Sequence, residues 1–342
     1  MAVRDHTPEL VELGDVDELV RQVDRLVDAR DWDGIADLRD RCNAALQRGK
    51  QLWPAATQAE YRLALQAPPS WAVSVLHPGA GRFALAPLTE AAASNHSWTE
   101  LAAHLRGHGP MAALVAQERA VRGEHVNPDS LDDLARAACE IPLSIQPWEP
   151  AYALPTIEAH KLEEATLSPM KEMVIAERPT TAASPRQSET SRALIAVAGA
   201  WIKESNGHGI AVEVDGSRLD AVAAIAPIET GAFRIVDVEP AEAMRWMAWA
   251  ASSGGAYGRR PGAAAGRVAA WWAAAALTDL VDDWPVDPDD LGQAIAELRW
   301  SLWDDGAPGR GWCIRLAVED PDHDLAWALA AHDERPADAL VI

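Results

Sequence analysis

Through the first half of the chain apolar residues recur every three or four positions, the spacing that gives a helix one buried face. Asp15 and Glu18 form a capping box ahead of Leu19, Val20, Val23, Leu26 and Val27. Trp32, Ile35, Leu38, Cys42 and Leu46 predict a partner helix ending at Gly49, so residues 15–50 read as a helical hairpin. A third helix follows Pro54 and stops at Pro68-Pro69, and a fourth runs from Trp71 towards Pro78-Gly79. Ser97 and Glu100 make a second capping box before Leu101–Leu105, and Gly107-His108-Gly109-Pro110 break that helix. Helical spacing resumes over Met111–Arg122 and Ser130–Cys139. The whole is an irregular α-helical hairpin array, without the repeated signature of a regular solenoid.

Prolines and the loss of any period predict an extended connector from Ile141 to Pro155, and Glu158–Met173 reads as one further helix through Leu162, Ala165 and Met170. Arg178–Ser191 is polar and almost free of large apolar groups, the composition of a linker or exposed loop. Residues 1–150 are therefore expected to form a helical domain, 151–192 a connector and 193–342 a second domain.

In that second domain the periods mix. Ala193–Ile202 is helical, whereas Ile210–Val214, Leu219–Ile225 and Phe233–Val238 read as strands, the second expected to pair back on the first. Glu239–Leu280 reads as two helices around a glycine-rich turn. Pro240 opens the first, Met244, Met247 and Ala248 mark its core face, and Gly254-Gly255 stop it. The second begins near Pro261 and carries Gly266, Trp271, Trp272 and Leu277. Asp287-Pro288 cap a helix through Leu291, Ile295, Leu298 and Leu302. Trp312–Val318 then turns through Asp320-Pro321-Asp322 into Leu325–Ala331. Grouped strands and grouped helices give an α+β class with a mostly antiparallel sheet.

Composition narrows the function classes. At 342 residues two domains are the natural expectation, and 49% apolar with 24% charged residues is a globular balance. Against 52 Asp and Glu stand 30 Lys and Arg, a formal charge of −22. That balance argues against nucleic acid, whose phosphates need facing cations, and against an anionic membrane surface. It suits solubility or a protein partner of basic character. Cys42, Cys139 and Cys313 are far apart and none has a CxxC neighbour, so neither a disulfide framework nor a zinc site is expected. The first residues lack a signal-peptide pattern and no apolar run is long enough for a bilayer, which points to the cytoplasm.

One stretch, Ser252–Arg267, invites a chemical reading. A glycine-rich turn entering a helix offers unsatisfied N–H groups and a positive dipole end to an anion. Ser253, Gly254, Gly255 and Gly258 would supply the turn, and Arg259, Arg260 and Arg267 fixed donors for carboxylate or phosphate. Neither GxxxxGK[ST] nor GxGxxG after a strand is present, so both nucleotide fingerprints are missing. The alternative is that the arginines bridge to acidic neighbours while the glycines permit a tight turn. Trp246, Trp249, Trp271, Trp272, Trp300, Trp303, Trp312 and Trp327 lie at spacings that would gather them, as an aromatic core or as a stacking pocket. Glu319–Asp324 is acidic, but the Gly and Glu of a calcium loop are absent, and no HxxxH, HExxH or GxSxG occurs in a usable context. No metal and no cofactor are expected.

The segments SSGGAYGRRPGAAAGRVAAWW, LGQAIAELRWSLWDDG and GWCIRLAVEDPDHDLAWALAAHD resemble an uncharacterised actinobacterial family of unknown function over roughly the last hundred residues. The resemblance implies a bacterial cytosolic protein and brings no activity, cofactor or catalytic residue. The function expected from sequence is a non-enzymatic binding or interaction protein with an acidic surface and a protein partner. The alternative is a small-anion or nucleotide site at the Gly/Arg turn, with or without catalysis.

Overall fold

In the computed structural model, which describes residues 7–179, 183–226, 232–306 and 311–335, acidic and hydroxyl caps begin several of the main helices. The chain divides into two compact units: Met1–Ala120, Glu124–Cys139 and Pro155–Glu163 in one, Val121–Gly123, Glu140–Leu154 and Glu164–Ile342 in the other.

The first unit is mostly helical. After α1 (Thr7–Leu13), Asp15 accepts from the Glu18 N–H and starts α2 (Val16–Asp28), and Asp31 likewise starts α3 (Trp32–Gln47). Leu19, Val23, Ile35, Leu38 and Cys42 are fully buried, with Leu63 of α4 (Trp53–Gln66). Shorter helices follow: α5 (Pro69–Ser74), α6 (Leu88–Asn95), α7 (Trp98–Leu101), α8 (Pro110–Val121) and α9 (Asp133–Ala137). The Ser97–Glu100 capping box forms as expected. The helix expected over Glu158–Met173 does not. In its place β1 (Thr156–Ile157) and β2 (Leu162–Glu163) make a small hairpin closed by Glu158 N–H to Lys161 O, 2.8 Å. Residues 164–173 run extended beyond it.

The second unit is built on a six-stranded sheet. Its members are β3 (Val174–Glu177), β4 (His208–Asp215), β5 (Ala232–Val238), β6 (Arg299–Asp304), β7 (Trp312–Asp320) and β8 (Leu325–Asp333). The spatial order is β3-β5-β6-β7-β8-β4 and every neighbouring pair is antiparallel, so the chain is an α+β protein. The segment expected as a strand at Leu219–Ile225 is instead a helix. β4 finds its partner in β8, far along the chain, while a Ser217–Asp220 capping box turns Arg218–Ile225 helical.

Helices cover both faces. α10 (Glu189–Ala196), α11 (Gly199–Glu204), then α12 (Arg218–Ile225), α13 (Pro240–Ser252), α14 (Ala263–Leu277) and α15 (Pro288–Glu297) complete the unit. Met244, Met247 and Trp271 of α13 and α14 share a core with Trp300, Leu302, Ile314, Leu316 and Leu329 on one sheet face. Ala221 and Val222 of α12 join Phe233, Ile235, Trp303 and Ala317 on the other. Strict alternation along β5 to β8 separates the two sets. Leu298 and Leu302, expected on the helix after Asp287, fall past its end. The period changes to two at Arg299, and Trp300 and Leu302 enter the sheet. The polar run before α10 is anchored where described: Arg186 bridges Glu213 on the outer edge of β4, and the Gln187 amide donates to Ala211 O at 2.7 Å.

Candidate functional site

The Gly/Arg turn connects α13 to α14, and its glycines serve close backbone approach. A Cβ on Gly254 would lie 2.1 Å from Gly258 O, and one on Gly258 2.4 Å from Gly254 O, so the chain crosses itself there. Gly255 and Gly262 take φ of +71° and +104°, a region open to glycine. Ser253 is buried, and its hydroxyl accepts from Trp201 Nε1 at 2.8 Å.

Two N–H groups of the turn have partners inside the protein. Asp333, 1% exposed, accepts from the Ala256 N–H at 2.6 Å, and Ser205 Oγ accepts from the Tyr257 N–H at 2.9 Å. An internal carboxylate thus packs against the turn.

The three arginines separate. Arg260, 6% exposed, donates from one nitrogen to both oxygens of Glu164, at 2.7 and 2.6 Å. Arg267 is wholly buried and forks onto Glu149 at 2.7 and 2.6 Å, with further bonds to Pro142 O and Ser144 O. Trp271 Nε1 and the Tyr152 hydroxyl also donate to Glu149. Burial alone would push the Glu149 carboxyl up, yet Arg267 and these donors outweigh it and hold it below the usual carboxylate range. Burial, with Glu149 alongside, pushes the Tyr152 phenol well above its ordinary value. Arg259 alone of the three is exposed.

A cavity that the sequence did not locate lies elsewhere in the second unit. The ladder between β6 and β7 runs from Arg299↔Glu319 to Leu302↔Leu316 and ends there. On either side pairing continues, β5 with β6 to Arg234↔Asp304 and β7 with β8 to Trp312↔Asp333. The two middle strands therefore fork. Beside the fork, under α13 and the extended segment 164–173, is a cavity of about 410 Å³. Trp246, Trp249, Trp303 and Trp312 line it with Leu302 and Met173, a volume in the range of small-ligand sites. Trp249 Nε1 fixes the extended segment by donating to Ala165 O at 2.9 Å. Trp246 Nε1 is buried without an acceptor among the described residues.

Four of the tryptophans singled out in the sequence thus line one cavity, while Trp271, Trp300 and Trp327 belong to the core behind it. The cavity's ionisable groups are compensated. Glu164 is held by Arg260, Asp304 by Arg234 at 2.7 Å, and Arg315 by Asp305 at 2.8 Å. Burial pushes the Cys313 thiol up, away from the thiolate a nucleophile needs. The acidic run at Glu319–Asp324 makes the β7–β8 turn, where Asp320 accepts from the Asp322 and His323 N–H groups. Among the described residues no group of three or more His, Cys, Asp or Glu side chains could hold a metal ion. No helix among them is long and apolar enough to cross a membrane.

Fold and site together define an α+β protein with a tryptophan-lined cavity at a fork in its sheet. The chain belongs to a family of unknown function, DUF6183, whose profile matches residues 17–335 and so covers both units, not only the C-terminal stretch that carried the resemblance. Neither the curated proteins nor the solved structures yield a match.

Proposed function

We propose that this chain is a binding protein that works by recognition rather than catalysis, with the fork cavity as its recognition site. The observation that carries the reading is that four tryptophans line one cavity whose acids and bases are already paired. Indoles supply wide apolar contact at low conformational cost. Paired carboxylates and a protonated thiol leave the lining without a free general base or nucleophile. The acidic exterior, −22 overall, favours a basic protein partner at the encounter stage. A cytoplasmic setting accords with Cys42, Cys139 and Cys313 all being free thiols. The actinobacterial attribution rests on the sequence resemblance. The Gly/Arg turn supports a small-anion site less well, because Asp333 and Ser205 take its Ala256 and Tyr257 N–H groups and, of its three arginines, Arg259 alone remains exposed.

The test uses the full chain as bait in extract from its own cells, beside Trp312→Ala, with mass spectrometry of retained proteins and metabolites. Species held by the wild type and lost by the variant support the reading. Identical retention by both would remove the cavity from the function.

A further inference from the structure

We infer that the fork cavity takes an uncharged, planar nitrogen heteroaromatic ring system, the chemical class of a free nucleobase or a neutral tricyclic relative. The inference rests on the binding reading above and specifies its ligand. Three features of the cavity wall converge on this class.

The first is flatness. Trp246, Trp249 and Trp312 line the cavity with Trp303, whose ring packs in the core on the other sheet face, and flat aromatic faces favour stacking or edge contact with another ring over contact with a flexible chain. The second is charge. Each ionised group in the wall already has a partner: Glu164 with Arg260, Asp304 with Arg234, Arg315 with Asp305. A ligand bearing a formal charge would shed water there and find no counter-ion, a cost a neutral ring does not meet. The third is an orphan donor. Trp246 Nε1, on a residue of the cavity wall, is buried with no acceptor among the described residues. A buried N–H demands a partner. A ring nitrogen or carbonyl of a heteroaromatic supplies that acceptor, which a hydrocarbon ring cannot.

Together these exclude the neighbouring classes. An aliphatic chain would leave the Trp246 Nε1 donor unmet, and a nucleotide would add phosphate to a wall whose cation, Arg315, is held by Asp305. The adjoining depression, of about 310 Å³ with Lys171, Glu172 and Arg234 beside Asp304, gives the ring an open approach from solvent.

Isothermal titration and ligand-observed NMR on the full chain decide the matter, with uracil, adenine and lumichrome as neutral heteroaromatics, AMP as a charged counterpart and toluene as a flat ring without polar edges. At least one neutral heteroaromatic should bind saturably, and at least tenfold more tightly than toluene; AMP should bind at least tenfold more weakly than adenine. Trp312→Ala should weaken the best ligand at least tenfold and Trp312→Phe should restore most of it, with circular dichroism confirming that both variants fold. Toluene binding as well as the heteroaromatics, or AMP binding better than adenine, overturns the ligand class while the cavity remains a binding site. Binding by none of the heteroaromatics also overturns the class, and the capture experiment with Trp312→Ala then judges the binding reading separately.

Discussion

Arg267 and Glu149 keep no side-chain surface in water, and such a pair is stable only while both members are present. Taking each ion out of water costs several kcal/mol, offset here by two fork bonds and by donors from Trp271 and Tyr152. Arg267→Ala strands the carboxylate and should destabilise the second unit by about 3–5 kcal/mol, read by urea denaturation followed through tryptophan fluorescence. Arg259→Ala, at an exposed residue, should stay within about 0.5 kcal/mol. Similar small losses for both would mean that the buried pair contributes little. The pH dependence has a definite sign. Because the folded Glu149 carboxyl lies below its ordinary value, its contribution is present above the unfolded value of about 4.3 and is lost as pH falls through the lower folded one. Glu149→Gln should abolish that part of the acid response. The sequence marked Arg267 as a donor, but its acceptor lies 118 positions upstream in a proline-rich run with no period to read.

At the scale of elements, the contact between α13 and α14 depends on Gly266. A Cβ there would stand 2.3 Å from Ala248 O and 2.7 Å from Ser252 Cβ, against backbone that cannot give way cheaply. In an isolated helix Gly→Ala gains about 1 kcal/mol from propensity. Here overpacking should reverse the sign and cost about 1–3 kcal/mol, seen as a lower melting temperature for Gly266→Ala; a higher one would show that the helices do not need the close approach. This helix pair was legible because every signal for it is local: Pro240, the apolar spacing and the glycine stop. So was the β7–β8 hairpin, with its Asp-rich turn. Three elements were not. Arg218–Ile225 alternates weakly enough to pass for a strand, and only its Ser217 cap shows otherwise. The 158–173 segment is held by distant groups, Trp249 Nε1 on Ala165 O and Glu242 on the Met170 N–H. Arg299–Asp304 extends an apolar helical spacing in which only the sheet imposes a period of two. The cavity was legible as tryptophan-rich sequence but not as a place, because its opening depends on where the β6–β7 ladder stops. The Gly/Arg turn was legible as a turn; that Asp333 fills it depends on a partner 77 residues away.

For the whole molecule the decisive quantity is what remains after internal pairing. Arg25, Arg62, Arg119, Arg186, Arg218, Arg234, Arg260, Arg267, Arg299 and Arg315 each lie in an ion pair with a carboxylate. These cations are engaged by the protein's own carboxylates, and the formal charge of −22 leaves a surplus of acid. Phosphate backbones bind by releasing counterions to facing Lys and Arg, and each such contact steepens the dependence on salt. A chain with a surplus of acid and many arginines already engaged has little to offer in that exchange. At about 0.01 M salt, where charges act over about 30 Å, the dominant force between this surface and a duplex is repulsion. The full chain should therefore fail to shift a fluorescent DNA duplex in anisotropy titrations even at that ionic strength, at any protein concentration that keeps it monodisperse. A salt-sensitive rise in anisotropy would reveal a basic face among groups counted here as paired, and would remove the electrostatic ground for preferring a basic protein partner.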